Sequence, residues 1–369
     1  MDGWVARWTW KGRKRVRLTA FDVGAWRVGD SPRLKDGAGR IDFLRDQMRN
    51  GLVHESMDSL VAFLYARRAA MEADAWRGYV ADVLLRHPIR ELLHRDPLTS
   101  RAFAKPQGYA GDATSIDMIY TMKYAAGVVD TIGDAAFRYN VDSPSARSIR
   151  NCRRRLAALI DETVRERSDA RVLALGAGHL REIELMRTLG TAFVGEIVAV
   201  EQDEDALAVI EYAYAARGVR KLYVPTGRLL AGNHGLSGFD LVYAATMFNH
   251  LAQPSAATLC EQMFAMLNPG GRMLVANFVP DIADAGYLES YMAWQRIYRD
   301  EREMRTLIDG IPREQVADAD LAFDGARNMI YLLVERQGAE ELAESRQERL
   351  RERRIACRNE LLRRITRRA

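Results

Sequence analysis

Cysteine is scarce in this sequence of 369 residues, which contains three: Cys152, Cys260 and Cys357. Their spacing matches no metal-ligand pattern, and three scattered thiols do not form a disulfide framework. We therefore expect three inert thiols and no metal site.

Long apolar runs are also missing. No stretch approaches the roughly eighteen consecutive apolar residues that a membrane-spanning helix needs. The start, Met1–Trp4, lacks the basic and then apolar pattern of a secretory signal. The sequence therefore predicts a cytoplasmic protein without a membrane span.

An excess of one sign of charge is nearly absent outside the C-terminus. The net charge is +4, and residues 340–369 alone hold ten arginines against six glutamates. This tail lacks proline and glycine, so we expect a helix that is solvated and rich in salt bridges, or one that forms a homodimer contact. Its mixed charge and the nearly neutral body argue against a nucleic-acid partner.

The length and the order of patterns predict four regions. A hairpin-like extension covers residues 1–40, a helical cap or lid covers 41–145, a catalytic domain covers 146–337, and an arginine-rich helix covers 338–369. Within the third region, short apolar segments alternate with helical ones. These strand segments are 171–176, 196–201, 221–224, 239–245, 272–278 and 328–335. The alternation predicts an α/β fold with a doubly wound, parallel, Rossmann-like sheet.

A glycine turn follows the first of these strands. Gly176, Ala177 and Gly178 lead directly into a helix expected near Arg181, and Glu201 ends the next strand. Such a turn lets a ligand approach the backbone, and the acid can accept the two hydroxyls of a ribose. A dinucleotide fingerprint would have a third glycine where Arg181 stands, and no phosphate-binding loop of the G-x-x-x-x-G-K-[ST] type occurs. The pair therefore indicates a nucleoside cofactor.

The segments that follow indicate which nucleoside cofactor is bound. Phe239-Asp-Leu-Val-Tyr243 leads into a polar and aromatic loop, and Leu267-Asn-Pro-Gly-Gly271 is a helix stop and tight turn before another apolar strand. This order resembles the class I S-adenosylmethionine-dependent methyltransferases. The resemblance implies S-adenosylmethionine as the cofactor. Further cofactor contacts are then expected from Gln202, Thr226 and Gly227.

A narrower resemblance begins near residue 100. Lys105-Pro-Gln-Gly-Tyr-Ala-Gly-Asp112 is similar to a signature of the bacterial extracellular-factor 3-hydroxypalmitic acid methyl ester biosynthesis family, and Ser148–Arg153 and Tyr291–Arg299 also match. It implies a lid over the cofactor that includes Tyr109 and Asp112, and it adds Arg150 as a cofactor contact. Ala174, Ala177 and the Phe248–His250 loop depart from the family pattern.

Two mechanisms remain open at the acceptor. A carboxylate needs no base, only anchors such as Arg150, Arg153, Arg299 or Tyr109 and removal of water. A hydroxyl or amine acceptor needs a base, for which His250 is the candidate. The expected catalytic residues are Tyr109, Asn249 and His250.

Aromatic residues are expected to form the acceptor pocket. Tyr291, Trp294 and Tyr298 have the spacing of one helix face, which would form both core and pocket roof. The expected pocket residues are Phe248, Trp294, Tyr298 and Arg299. The function predicted is O-methylation of the carboxylate of a small, lipid-like or natural-product acid. Hydroxyl or nitrogen methylation is the alternative, and a catalytically inactive regulatory protein that binds the cofactor is the second.

Overall fold

The computed structural model describes residues 37–341 and 343, apart from residues 126, 128 and 189–194. The predicted N-terminal hairpin and nearly all of the predicted arginine-rich helix lie outside the described residues. Within the described part of the chain, no helix is long and apolar enough to cross a membrane.

Helices form the first part of the described chain and flank the strands that follow. The α-helices are α1 (Gly37–Arg49), α2 (Val53–Ala69), α3 (Ala73–Tyr79), α4 (Ile89–Leu93), α5 (Pro97–Ala104), α6 (Ala113–Thr121), α7 (Thr131–Val141), α8 (Pro144–Glu166), α9 (Glu204–Tyr214), α10 (Thr226–Leu230), α11 (Gln253–Ala265), α12 (Ala285–Tyr291) and α13 (Glu301–Arg305). Val80–Leu84 is a π-helix that continues α3, and the 3-10 helices are Arg181–Leu185, Ala215–Arg217, Met247–His250, Thr306–Ile308 and Arg313–Gln315.

Capping side chains stabilise the starts of four helices, α5 to α8. Asp96, Asp112, Asp130 and Ser143 each accept a hydrogen bond from a backbone N–H in the first turn of α5, α6, α7 and α8 respectively. These N–H groups have no partner inside their helices, so such caps stabilise each start.

The strands form one seven-stranded sheet in the order β3-β2-β1-β4-β5-β7-β6. They are β1 (Arg171–Leu175), β2 (Glu196–Glu201), β3 (Val219–Tyr223), β4 (Phe239–Ala244), β5 (Leu267–Phe278), β6 (Val316–Phe323) and β7 (Met329–Arg336). The first five are parallel, whereas β7 pairs antiparallel with both β5 and β6. This arrangement confirms the predicted Rossmann-like sheet with flanking helices.

The central strands are buried on both faces. In β1, Val172 and Ala174 belong to one apolar core, which is shared with the N-terminal helices and α8. Leu173 and Leu175 belong to the other, which is shared with α11. Successive side chains of a strand point to opposite faces, so a strand covered on both sides has a continuous apolar sequence. This explains why the sequence pattern located these strands.

The prediction that all strands are parallel is wrong at one edge of the sheet. β6 was not predicted, and β7 runs antiparallel to β5. The β6 sequence, Val316-Ala-Asp-Ala-Asp-Leu-Ala-Phe323, is rich in alanine and aspartate, which are depleted in strands. Its pairing with β7 outweighs this weak local preference.

Two further expectations are corrected by backbone geometry. Tyr291, Trp294 and Tyr298 do not share a helix face, because α12 ends at Tyr291 and Ala293 adopts a left-handed φ of 47°. The glycine turn leads into a short 3-10 helix rather than an α-helix, after a left-handed Leu180 with a φ of 53°.

Candidate cofactor and acceptor site

The carboxyl ends of the five parallel strands lie at one edge of the sheet, and the glycine turn extends from β1 there. Gly176 and Gly178 have φ angles of 63° and 52°, a region that glycine enters without steric cost. A Cβ at Gly178 would lie 3.6 Å from the Cβ of Ala113. The Ala177 amide donates to the carbonyl of Val200 at 3.1 Å, which ties the turn to β2.

Glu201 ends β2 and is 6 % exposed. Its carboxylate accepts hydrogen bonds from the amides of Gly178 at 2.8 Å, Gln202 at 2.7 Å and Asp203 at 3.2 Å. An ionised carboxylate offers about four acceptor positions. The carboxylate is therefore held in place, and Oε2, which accepts one of these bonds, can still accept from a hydroxyl.

An open cleft of about 390 Å³ lies beside the ends of β2 and β3. Its lining residues are Gln107, Tyr109, Gln202, Asp203, Glu204, Asp205, Tyr223 and Pro225. A cleft of this volume is in the range of small-molecule sites.

The loop of residues 105–112 covers one side of the cleft. Gln107 donates to the Asp205 carboxylate at 2.8 Å, which fastens the loop to the first turn of α9. Tyr109 lines the cleft, and burial together with the charges of Glu201 and Asp203 raises the pKa of its phenol. Tyr109 therefore keeps its proton near neutral pH and can donate a hydrogen bond.

Asp112, the other residue expected in the lid, is buried and holds the loop instead of lining the cleft. Its carboxylate accepts from the Ser115 amide at 2.8 Å as the cap of α6, and it pairs with Arg101 at 2.7 Å. These contacts give Asp112 a positioning role.

Gln202 and Thr226, both expected to contact the cofactor, lie side by side, since the Thr226 hydroxyl donates to the Gln202 side-chain oxygen at 3.0 Å. Gln202 lines the cleft, while Gly227 is exposed and is not part of its lining.

Arg150 does not reach the glycine turn through any hydrogen bond that the described residues make. Its guanidinium donates to the carbonyls of Ile119 and Val141 and to the Asp142 carboxylate. Because these partners end α6 and α7, Arg150 joins those helices to α8. Arg153, the other anchor expected on α8, donates to the Arg181 carbonyl and the Glu184 carboxylate.

The loop after β4 places two of its three expected residues in the core. Phe248 is fully buried among the apolar residues that pack with α11. Asn249 is 2 % exposed, accepts from the Phe278 amide at 2.9 Å and donates to the Thr246 carbonyl at 3.1 Å. Both side chains therefore stabilise the loop, because their contacts are with the protein itself.

His250 is exposed at the end of the same loop. The protein around its ring and the nearby guanidinium of Arg296 lower the pKa of the imidazole to about 4. The ring is neutral at pH 7 but is a weak base, well below the pKa that suits proton abstraction at neutral pH.

Arg299, expected in the acceptor pocket, is fully buried and bound to its own chain. It donates to the carbonyl of Phe248 at 2.7 Å, the side chain of Asn277 at 2.7 Å and the side chain of Gln253 at 2.7 Å, and to the carbonyl of Leu251. These bonds fix the loop after β4, so Arg299 positions that loop and is not an anchor for a ligand.

Trp294, expected in the acceptor pocket, packs against the loop of residues 105–112. It is 4 % exposed and packs so closely on Gly111 that a Cβ there would overlap the indole ring. Tyr298 lies farther along the chain, where its ring stacks on the Arg68 guanidinium at 5.1 Å. Trp294 thus contacts the loop that borders the cofactor cleft.

Arg296 was not singled out from the sequence. Its guanidinium is sandwiched between the rings of Phe278, at 4.1 Å, and Trp294, at 4.3 Å, and it donates to the Ser145 hydroxyl at 3.2 Å. The sequence holds many arginines, and no spacing distinguishes this one. The Arg296 side chain is directed into the protein by the extended path of the chain after α12.

Comparison with known proteins agrees with this fold. No protein-family model matches the sequence, and no curated protein is similar to it. A Bordetella parapertussis structure described as a "possible exported protein" superposes with a TM-score of 0.54 and 14% identity, over 74% of this chain and 99% of that one. At this identity the likeness establishes the fold alone.

Two other solved structures resemble the chain less closely. One is the S-adenosylmethionine-dependent methyltransferase SibL, with a TM-score of 0.42 and 14% identity over 79% of this chain and 76% of that one. The other is the N-methyltransferase NodS from Bradyrhizobium japonicum in complex with S-adenosyl-l-homocysteine, with a TM-score of 0.37 and 14% identity over 53% and 89%.

Proposed function

We propose that this protein is an S-adenosylmethionine-dependent methyltransferase. The observation that carries the proposal is the hydrogen bond from the Gly178 amide to the Glu201 carboxylate, which joins the glycine turn to the acid at the end of β2. The pair lies beyond the carboxyl ends of parallel strands, where open α/β sheets bind their ligands. An adjoining cleft of about 390 Å³ supplies room for a nucleoside.

The residues present fit each part of this cofactor. Glu201 would accept from the ribose, the cleft beside Gln202 and Tyr223 would take the adenine, and the Gly176–Gly178 turn would hold the amino-acid end. When bound, the cofactor supplies an electrophilic methyl group. The protein's part is then to align an acceptor with that methyl and to exclude water.

The acceptor we propose is the carboxylate of a small or lipid-like acid. His250, with a pKa of about 4, is a poor general base at neutral pH, and Tyr109 retains its proton because burial and nearby carboxylates raise its pKa. A carboxylate is already ionised at pH 7 and requires no base. The resemblance of Lys105–Asp112 to enzymes that form fatty acid methyl esters supports the same class.

Calorimetric titration of the full chain tests the cofactor assignment. We expect S-adenosylmethionine and S-adenosylhomocysteine both to bind with one-to-one stoichiometry, whereas NAD does not. If neither binds, the assignment is wrong. If both bind but no acid, alcohol or amine is ever methylated, the chain is instead a regulatory protein that binds the cofactor.

A further inference from the structure

We infer that Arg296 binds the carboxylate of the acceptor and thereby selects acids with an apolar body. The inference rests on the proposed methyltransferase function and deepens it by naming the residue that recognises the acceptor. It replaces Arg150, Arg153 and Arg299, whose guanidinium groups are bound within the protein.

The guanidinium of Arg296 is buried and has no ion-pair partner among the described residues. The residue is 8 % exposed, and its Nη2 is buried with no hydrogen-bond partner in that part of the chain. The carboxylates of Asp284 and Glu289 act on its charge but do not pair with it: Asp284 accepts from Ser145, and Glu289 pairs with Arg68. A buried cation without a paired anion is costly, because one hydrogen bond to a neutral hydroxyl does not offset the desolvation as an ion pair can. An anionic ligand would supply that ion pair.

A second unpaired donor lies beside it. The Nε1 of Trp294 is buried and has no hydrogen-bond partner within the described part of the chain, and its ring lies 4.3 Å from the Arg296 guanidinium. Buried indole N–H groups normally have an acceptor. A carboxylate has two oxygens, so one group could accept from both donors.

The surroundings hold the guanidinium in place. The Phe278 and Trp294 rings lie against it, and its Nη1 donates to the Ser145 hydroxyl, which in turn donates to Asp284 at 2.8 Å. The guanidinium is thus oriented before a ligand arrives, which reduces the entropy cost of binding.

The position of Arg296 is consistent with a role in methyl transfer. Trp294 packs on Gly111 of the loop that borders the cofactor cleft, and Arg296 is near enough to His250 to lower its pKa. His250 ends the loop that follows β4, which faces the ligand side of the sheet. Arg296 therefore lies close both to the residue that packs on the 105–112 loop and to the loop after β4.

Arg296 and Trp294 line a narrow crevice whose other walls are largely apolar. These walls include Leu98, Ile119, Ile149, Leu288 and Met292. The free volume is about 10 Å³, room for a single water, so an acceptor enters only when side chains move. Met292 is the wall residue best suited to such movement, because methionine is unbranched and flexible. This composition fits a carboxylate head on an apolar chain.

The transfer step balances without a proton. One carboxylate oxygen forms a bond to the methyl carbon, the carbon–sulfur bond breaks, and its electron pair stays on sulfur. The negative carboxylate and the positive sulfonium become a neutral ester and a neutral thioether. The ester has lost the charge that Arg296 binds, which favours release of the product over the substrate.

The test compares Arg296→Met with Arg302→Met, the same change at an exposed arginine of α13. Octanoate, dodecanoate and palmitate are the acceptors, and S-adenosylhomocysteine affinity and thermal midpoint are measured beside turnover. For Arg296→Met we expect the KM for the acids to rise about tenfold to a hundredfold, with cofactor affinity within about threefold of wild type. The thermal midpoint should stay close to wild type, because no ion pair is lost.

A binding measurement keeps the result independent of turnover. With S-adenosylhomocysteine present, dodecanoate should raise the thermal midpoint of the wild type and of Arg302→Met but not that of Arg296→Met, and dodecanol should raise none. If Arg296→Met does not fold, Arg296→Lys, which keeps the charge, should fold and show a smaller loss of the dodecanoate effect.

Two outcomes would overturn the inference and leave the proposed function intact. One is normal acid methylation and acid binding by a folded Arg296 variant. The other is a wild type that binds the cofactor and methylates only alcohols or amines. Failure of the wild type to bind the cofactor is different, because it contradicts the proposed function itself.

Discussion

Replacing Glu201 with glutamine removes one charge and turns one oxygen into an amide NH₂. The carboxylate accepts from the Gly178 amide through Oε2 and from the Gln202 and Asp203 amides through Oε1. In either orientation, the new NH₂ group faces a backbone N–H, and donor meets donor. The Glu201→Gln variant therefore loses at least one hydrogen bond in the free protein and weakens its hold on the ribose.

The size of the expected change in cofactor affinity follows from the strength of these hydrogen bonds. A hydrogen bond to a charged group contributes about 1.5–3 kcal/mol. Loss of the ribose bond alone should therefore raise the Kd for S-adenosylhomocysteine by about tenfold to a hundredfold. Glu201→Ala removes both oxygens, so its effect on the Kd should be at least as large.

Calorimetric titration measures this effect, with Glu204→Gln as the matched control. Glu204 lines the same cleft but is exposed. We expect its replacement to change the Kd by less than about threefold. Equal binding by folded Glu201→Gln and wild type, or an equal loss in both variants, would refute the reasoning.

Three further predictions concern catalysis, the loop and pH. His250→Ala should retain most of its turnover with a carboxylic acid, and complete loss with intact cofactor binding would instead identify a general base. Gly111→Ala should weaken cofactor binding more than Gly108→Ala does. Both glycines have positive φ angles, but only at Gly111 would the new Cβ overlap Trp294. Equal cofactor affinities of the two variants would contradict this prediction. Burial raises the pKa of Asp96 from 3.8 to about 6. The folded state therefore binds this proton more tightly, and the stabilisation is greatest below pH 3.8 and is lost as the pH rises through 6. Relative to Asp96→Asn in urea unfolding, the wild type should lose about 2 kcal/mol between pH 4 and pH 7.5, and a pH-independent difference would contradict the sign.

The sequence predicted the central sheet because those strands are covered on both faces. A strand that is buried on both faces needs a continuous apolar run, such as Val172–Leu175, and this run can be recognised in the sequence. β6 escaped prediction because it is an edge strand of alanine and aspartate, and its pairing with β7 is a long-range contact without a local signal.

The proposed cofactor residues could be located from the sequence, and so could Trp294 of the proposed acceptor site, but Arg296 could not. Gly176, Gly178 and Glu201 lie at strand ends, so the periodicity of the chain also places them. Trp294 and Arg296 follow the end of α12, where the left-handed Ala293 redirects the chain. Which arginine then points inward depends on tertiary packing. Every guanidinium nitrogen of Arg299 donates a hydrogen bond, whereas the Nη2 of Arg296 has no partner among the described residues.

The central claim is tested most directly by following a deuterium-labelled methyl group from S-adenosylmethionine into a mixed pool of acids, alcohols and amines. Mass spectrometry of the products identifies the acceptor, and mild alkaline hydrolysis distinguishes a methyl ester from an ether or amine. We predict that a carboxylic acid with an apolar chain gains one labelled methyl group that alkali removes. Label on alcohols or amines with the acids untouched, or no transfer at all, would contradict the account.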